Sequence, residues 1–436
     1  MGFIRNVAGV LATSVAAVPI SIATSILLAR CLSVPDRGFY ALLTTFSAVV
    51  FLLTQLGWAE AAIYRTRRHG VSPARAFSTG MVANTAITLA VLALCLAFRD
   101  PLSRSFLGEV SARAFVLAAL TAPLLALGDF VRGVARAIDR FDLHNQFGFL
   151  QAAGILGALV IALPGLGGGL DAALAANLVV QALLVAGFGV RIAALAGVEP
   201  RFDPREAGAS LAYGSNLYLQ NLCIHLHERV DVFLLAALGV SALDIGLYAA
   251  AVSVVSPLRL VPGALGTALL PRLAGAGDAE AAEFTASVAR QSTLFMVAAA
   301  LALVPAGILG IPLLFGVDYS AAVTPFLWLL PGMAALALSR VLSRYFAAVH
   351  RQRALLALRA AALAANVLLN LALIPRFGIV GAALASLASY GAEALAVAGL
   401  FLLDSGQSAG QAFVVRASDL GPYRAQLRRL FDRGRS

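Results

Sequence analysis

One apolar run follows another along this chain, each close to 20 residues or longer, separated by charged residues, glycine or proline. A helix needs about 20 mostly apolar residues to cross a bilayer. In hydrocarbon, every backbone polar group must also be satisfied within the element itself. These runs therefore predict membrane-spanning helices. Twelve lie near residues 7–29, 38–64, 79–97, 112–131, 145–163, 170–190, 209–238, 246–271, 286–308, 322–349, 355–374 and 379–402. The composition agrees: of 436 residues, 60% are hydrophobic and 12% charged, against about 45–50% and about 25% in soluble domains. The first run is too long for the apolar core of a signal peptide. It leads into Pro35-Asp36-Arg37 rather than a small-residue cleavage site, so it reads as a retained span. The longest polar stretch is the tail after Asp404, which leaves no room for a soluble domain.

All 32 basic residues are arginine. Without lysine there is no phosphate-loop lysine and no Schiff-base lysine. Twenty-one arginines fall on one predicted side: Arg5, Arg65, Arg67, Arg68, Arg75, Arg132, Arg136, Arg140, Arg191, Arg201, Arg205, Arg272, Arg290, Arg351, Arg353 and six in the tail. Six fall on the other: Arg30, Arg37, Arg99, Arg104, Arg113 and Arg376. The positive-inside rule then places both termini in the cytoplasm, as an even number of spans requires. The net charge of +10 is spread over all the inner loops, so anionic lipid headgroups, not nucleic acid, are the expected surface partner. The tail segment 423–431 reads either as an amphipathic helix lying on the membrane or as a frayed basic end. Cys31, Cys95 and Cys223 have neither disulfide nor metal spacing.

The chain also repeats itself. Leu27-Leu28-Ala29 leads to Asp36-Arg37-Gly38-Phe39-Tyr40-Ala41, and Leu234-Leu235-Ala236 leads to Asp244-Ile245-Gly246-Leu247-Tyr248-Ala249, an offset of 208. Pro164 and Gly167, followed by 172–175, match Pro375 and Gly378, followed by 382–385, at 210 to 211. The unit is six spans used twice. Six is even, so the copies are parallel repeats about an axis along the membrane normal, with a site between them. The expected fold is an all-α polytopic membrane protein of about 12 transmembrane helices, arranged as two parallel six-helix repeats around a central cavity. Residues 1–190 would form the N-terminal lobe, 191–208 a cytoplasmic linker, 209–403 the C-terminal lobe and 404–436 a basic cytoplasmic tail.

The segment Leu28 to Tyr40 resembles the first-loop signature of bacterial polysaccharide-transporter flippases. Asp244 to Tyr248, Leu314-Phe315-Gly316-Val317-Asp318-Tyr319 and Leu373 to Ala383 fit the same family. These are the O-antigen and exopolysaccharide repeat-unit flippases of the multidrug/oligosaccharidyl-lipid/polysaccharide (MOP) exporter superfamily. The resemblance covers essentially the whole chain, and its motifs are structural. It implies a non-enzymatic carrier of the bacterial inner membrane. Such a carrier flips an undecaprenyl-pyrophosphate-linked oligosaccharide by alternating access, with a polysaccharide polymerase and glycosyltransferases as functional partners. A monomer is expected, with no cofactor beyond a proton or sodium gradient.

Charges at span depth are costly and mark candidate sites. Arg259 lies about 13 residues, roughly 20 Å, from either end of its span. Pro257 and Pro262 flank it and should break the helix. It reads as a midplane substrate contact or as a structural ion pair. Arg340 and Arg344 share a helical face, so a neighbouring anion or snorkelling to the interface is expected. Arg359, Asn366 and Asn370 form a stripe that either faces a lumen or joins helices. On span 7, Tyr213, Asn216, Gln220, His227 and Asp231 fall within about a 60° sector, beside His225, Glu228 and Arg229. His227 and Asp231 form an i, i+4 pair suited to proton or cation handling, or else part of a cluster that locks helices together. A metal site would need more ligands. Glu60, Asp129 and Glu393 are expected to partner loop arginines.

Three other functions weigh against the flippase. A multidrug exporter would carry organic cations and want an acidic, aromatic site, whereas five arginines are intramembrane here. A membrane-embedded glycan polymerase or ligase needs a substantial external surface, yet the longest external loop, 98–111, carries only Asp100 and Glu109 as acids. A major-facilitator carrier would show a basic loop signature that 65–70 matches poorly.

Overall fold

The computed structural model describes residues 2–103, 110–199, 202–259, 277–349, 352–414 and 416. For 2–12, 14, 216–217, 278, 347–348 and 352–353 the description covers the backbone alone. The helices are α1 (Gly2–Cys31), α2 (Val34–Thr54), α3 (Trp58–His69), α4 (Pro73–Ala97), the single turn α5 (Arg99–Leu102), α6 (Ala112–Ala137), α7 (Phe141–Val160) and α8 (Leu170–Ala196). They continue as α9 (Pro204–His227), α10 (Val230–Ala237), α11 (Ala242–Val255), α12 (Asp278–Gly310), α13 (Val323–Ala348), α14 (Gln352–Ser405) and the short α15 (Ala409–Phe413). There is no strand among the described residues.

Nine segments among the described residues are long and apolar enough to cross a membrane. One of them, Ala354–Ser405, has 52 residues and counts as two spans, because Gly378 at φ 56 and ψ −132 breaks α14 into two arms. The apolar stretch Val15–Cys31 of α1 and the α9–α10 pair complete the twelve predicted runs. The protein is therefore an all-helical, multi-pass membrane protein.

Three predicted spans are not continuous helices. The run 38–64 divides between α2 and α3, with Leu56 at φ 43 and Gly57 at φ 74. A methyl group on Gly57 would overlap the backbone of Gly214 on α9, so the turn needs glycine there. The run 209–238 divides at Glu228-Arg229, where Arg229 takes φ −137. The run 246–271 leaves the α-helical path at Ser256, and Ser256–Arg259 forms a 3₁₀ turn. Pro257 cannot donate to an α-helical ladder, which accounts for this break. Pro262 lies outside the described residues, as does the tail segment 423–431.

The structure gives the repeated sequence motif a physical meaning. Ser33 and Ser241 cap α2 and α11, accepting from the backbone N–H of Asp36 at 3.2 Å and of Asp244 at 3.1 Å. Each serine hydroxyl also donates to the aspartate carboxylate at 2.8 Å. The aspartates thus belong to N-terminal caps. The glycines serve packing between repeats. A methyl group on Gly38 would overlap the Ala242 carbonyl and stand 2.9 Å from the Gly246 nitrogen. One on Gly246 would overlap the Val34 carbonyl and stand 3.1 Å from the Gly38 nitrogen. With the offset of 208, Val34 corresponds to Ala242 and Gly38 to Gly246. The contact is self-complementary, as a two-fold interface must be.

Span 2 meets the second repeat again on the arginine-rich face. There Tyr64 stacks on Tyr213 with centroids 3.7 Å apart. Arg65 Nε donates to Glu206 Oε1 at 2.9 Å. Asp203 caps α9, accepting from the N–H of Arg205 and Glu206. The Arg65 guanidinium holds the Glu206 carboxyl below its ordinary 4.5, against the opposing effect of burial. A depressed carboxyl pKa adds stability above the ordinary value, and that stability is lost as pH falls through the lowered value. Wild type should therefore exceed Glu206→Gln in melting temperature by a constant margin between pH 8 and pH 5. The margin should close below pH 4.5. A margin independent of pH down to 3 would refute a charge-based latch.

Candidate functional site between the repeats

A cavity of about 390 Å³ lies between α1, the α6–α7 corner and the end of α11. Its walls are Thr13, Ala17, Val18 and Ser21 of α1, Arg132 of α6, and His144, Asn145, Gly148 and Gln151 of α7. Ser253, Ser256 and Pro257 close it from the second repeat. Arg132 and His144 flank the turn at Asp139-Arg140, which sets the cavity toward the arginine-rich face. Among the described residues, no carboxylate lines it. Arg132 Nη2 donates to Asp129 at 3.0 Å, and its guanidinium lies over the Phe147 ring at 5.5 Å. Asp129 thus partners an arginine one turn away on its own helix.

The 3₁₀ turn that supplies Ser256 and Pro257 also presents Arg259. Its Nη1 donates to Glu228 Oε2 at 3.0 Å, and its Nη2 to Ser256 Oγ at 3.3 Å. Arg340 Nη2 donates to the other oxygen of the same carboxylate, Oε1, at 2.6 Å. Glu228, at the end of α9, thus bridges two arginines from two different spans. The anion expected beside Arg340 is this carboxylate. Arg344 is half-buried one turn further along α13 and has no carboxylate within ion-pair distance among the described residues. Arg229, also half-buried, falls in the break between α9 and α10.

The other predicted residues divide in a way that departs from the expected single polar face. Arg359 is buried and donates to Gln220 at 3.5 Å and to Ser343 at 2.9 Å. Asn366 and Asn370 are completely buried, so they do not line a lumen here. Asn370 donates to Asn366, and Asn366 Nδ2 donates to Ser389 Oγ at 2.9 Å, joining the two arms of α14. His227 does not pair with Asp231. The break at Glu228-Arg229 puts them on separate helices, and the imidazole reaches α14 instead. His227 Nδ1 is 3.0 Å from Glu393 Oε2, and Nε2 is 3.0 Å from Ser389 Oγ. Ser339 Oγ donates to Glu393 Oε1 at 2.7 Å. Glu393 is therefore a buried partner of histidine, not of a loop arginine. Asp231 accepts from the Tyr248 hydroxyl and from the Val232 N–H. Tyr213 belongs to the stack on the arginine-rich face, and the side chain of Asn216 lies outside the description.

The first-repeat wall of the cavity is not among the residues that intramembrane charge singles out. Its signal was present: His144, Gly148 and Gln151 follow the i, i+4, i+7 spacing of one helical face.

Two six-span repeats thus meet around this cavity. Among solved structures, an inward-facing multidrug resistance MATE transporter of the MOP superfamily matches with a TM-score of 0.73 at 14% identity, over 89% of this chain and 96% of that one. Lipid II flippase MurJ in an inward closed conformation matches at 0.70 and 14%, over 90% and 89%. A MOP transporter from Pyrococcus furiosus matches at 0.60 and 12%, over 93% and 95%. At such identities the likeness shows the fold. Residues 27–324 match the family described as Polysaccharide biosynthesis protein, and the chain belongs to that family. No curated protein matches it.

Proposed function

We propose that the protein is a flippase that moves undecaprenyl-pyrophosphate-linked oligosaccharide units from the cytoplasmic to the outer face of the bacterial inner membrane. It would serve O-antigen, exopolysaccharide or capsule synthesis, with polymerase and glycosyltransferases acting before and after it. The arginine-rich face is the cytoplasmic one in this reading. One observation carries it: the cavity between the repeats presents a guanidinium, an imidazole, amides and hydroxyls, and no carboxylate among the described residues. An anionic headgroup with sugars attached finds charge and hydrogen bonds there, while its lipid chain stays in the bilayer. An organic cation would find no carboxylate facing it among the described lining residues. That favours the lipid-linked sugar over the multidrug exporter, although both fit the fold.

Deletion should leave lipid-linked repeat units on the cytoplasmic leaflet. Charge-assisted hydrogen bonds contribute about 1.5–3 kcal/mol, so Arg132→Gln and Arg259→Gln should each slow complementation about tenfold or more. Full complementation by Arg259→Ala and Arg132→Gln would overturn the cationic site.

For energy coupling we infer that protons act through the buried His227–Glu393 pair, with Ser339, Ser389 and Asn366 as its hydrogen-bonding surround. Glu393→Gln should flip substrate at a rate indifferent to an imposed pH gradient. A sodium requirement at constant pH gradient would replace the proton in this reading.

A further inference from the structure

Arg37 is the arginine of the repeated D-x-G motif, and its counterpart in the second copy is Ile245. The asymmetry matters because Arg37 is 4% exposed and pairs with no carboxylate among the described residues. Asp36 beside it is engaged by the Ser33 cap. Arg37 Nη1 donates to the Ser25 carbonyl at 2.6 Å, and Nη2 to Ser25 Oγ at 2.7 Å. The guanidinium lies 5.4 Å from the Phe315 ring centroid and 5.7 Å from that of Tyr319. Two buried donors there are unused: Arg37 Nε and the Tyr319 hydroxyl. A buried charge without a counterion is expensive, and N-capping and helix crossing do not require one at this position.

The cluster stands just beyond the cavity wall, linked to it through Ser253. Ser21 and Ser253 line the cavity. Ser25 is one turn beyond Ser21 on α1, and its hydroxyl donates to Ser253 Oγ at 2.7 Å. A polar path therefore runs from the cavity through Ser253 and Ser25 to Arg37, directly beneath the Gly38–Gly246 crossing. We propose that Arg37, with Ser25, Ser253 and Tyr319, is a second anion-binding station, which takes a phosphoryl group when the crossing opens. In the closed structure the Ser25 carbonyl and hydroxyl occupy the guanidinium. On opening, phosphate oxygens replace them in the planar fork that suits Arg to bidentate phosphate binding. The inference rests on the proposed lipid-pyrophosphate cargo and adds the contact that receives it on the outer side.

The test uses full-length protein in nanodiscs and radiolabelled geranylgeranyl pyrophosphate, with geranylgeraniol as the phosphate-free control. Gly38→Val, which cannot make the crossing, supplies the open state. The double variant Arg37→Gln/Gly38→Val should bind the pyrophosphate about tenfold or more weakly than Gly38→Val. Both should bind the alcohol equally, and Arg37→Lys/Gly38→Val should recover part of the loss. Equal pyrophosphate affinity with and without Arg37 would overturn the station and leave the flippase reading intact. Absence of pyrophosphate-dependent binding in wild type and Gly38→Val alike would overturn the cargo, and the station with it. If Gly38→Val fails to fold, Gly246→Val opens the same crossing and replaces it throughout.

Discussion

Glu228→Gln is expected to destabilise the protein by about 2–4 kcal/mol and to stop transport almost completely. Removing one partner of a fully buried ion pair costs about 3–5 kcal/mol, because the other charge is left uncompensated. Glu228 has two such partners, but Arg259 and Arg340 keep 29% and 18% of their side-chain surface, so part of the cost is relieved by solvent. The transport defect has a separate origin. The carboxylate ties the 3₁₀ turn after α11 to α13 across the break between α9 and α10. Without it Arg259 is no longer held beside the Ser256–Pro257 wall of the cavity. Thermal unfolding of the single variants and of Glu228→Gln/Arg340→Gln gives the coupling directly. The double variant should recover stability relative to Glu228→Gln while transport stays lost. Strictly additive effects would show that the three charges do not act as a unit.

The same cluster shows how far the sequence could be read. Arg259 was recognisable because two prolines bracket a cation at span depth. Its partner was not, because Glu228 and Arg340 are 112 residues apart and no local spacing joins them. The helical-wheel reading of span 7 assumed one continuous helix. An apolar run does not report a one-residue departure from helical φ, so a helical wheel carries Asp231 to the wrong face. Glu393 is hard to place for the opposite reason. A lone acid in a long apolar helix shows its cost but not its partner, and His227 is 166 residues away.

The fold was far more legible. Bilayer thickness turns composition into span count, and the D-x-G-x-Y punctuation survived in both copies of the repeat. That punctuation marked the caps and the crossing correctly without revealing that the two copies touch each other. Only the three-dimensional arrangement shows Gly38 and Gly246 facing across the pseudo-two-fold.

Gly246→Val should therefore trap the protein away from the closed state seen here. The substitution places branched carbon against the Val34 carbonyl and near the Gly38 nitrogen, both backbone atoms that cannot rotate away. Overpacking of well-packed contacts costs about 1–3 kcal/mol, and occasionally more. The helices can avoid that cost by separating, so it becomes a bias between conformations rather than a loss of fold. A bias of about 3 kcal/mol moves a two-state equilibrium by roughly 150-fold. Cysteine placed at Ser253, with the native Cys31, Cys95 and Cys223 replaced by serine, should then become reactive to a membrane-impermeant maleimide added on the face opposite the arginine-rich loops. In the Gly246 parent it should stay protected. Net flipping should fall by a factor approaching that shift, because a carrier that cannot reclose cannot cycle. Gly246→Ala should lie between the two. Wild-type protection and wild-type flipping in Gly246→Val would mean that the crossing is ordinary helix packing, and that opening takes place elsewhere between the repeats.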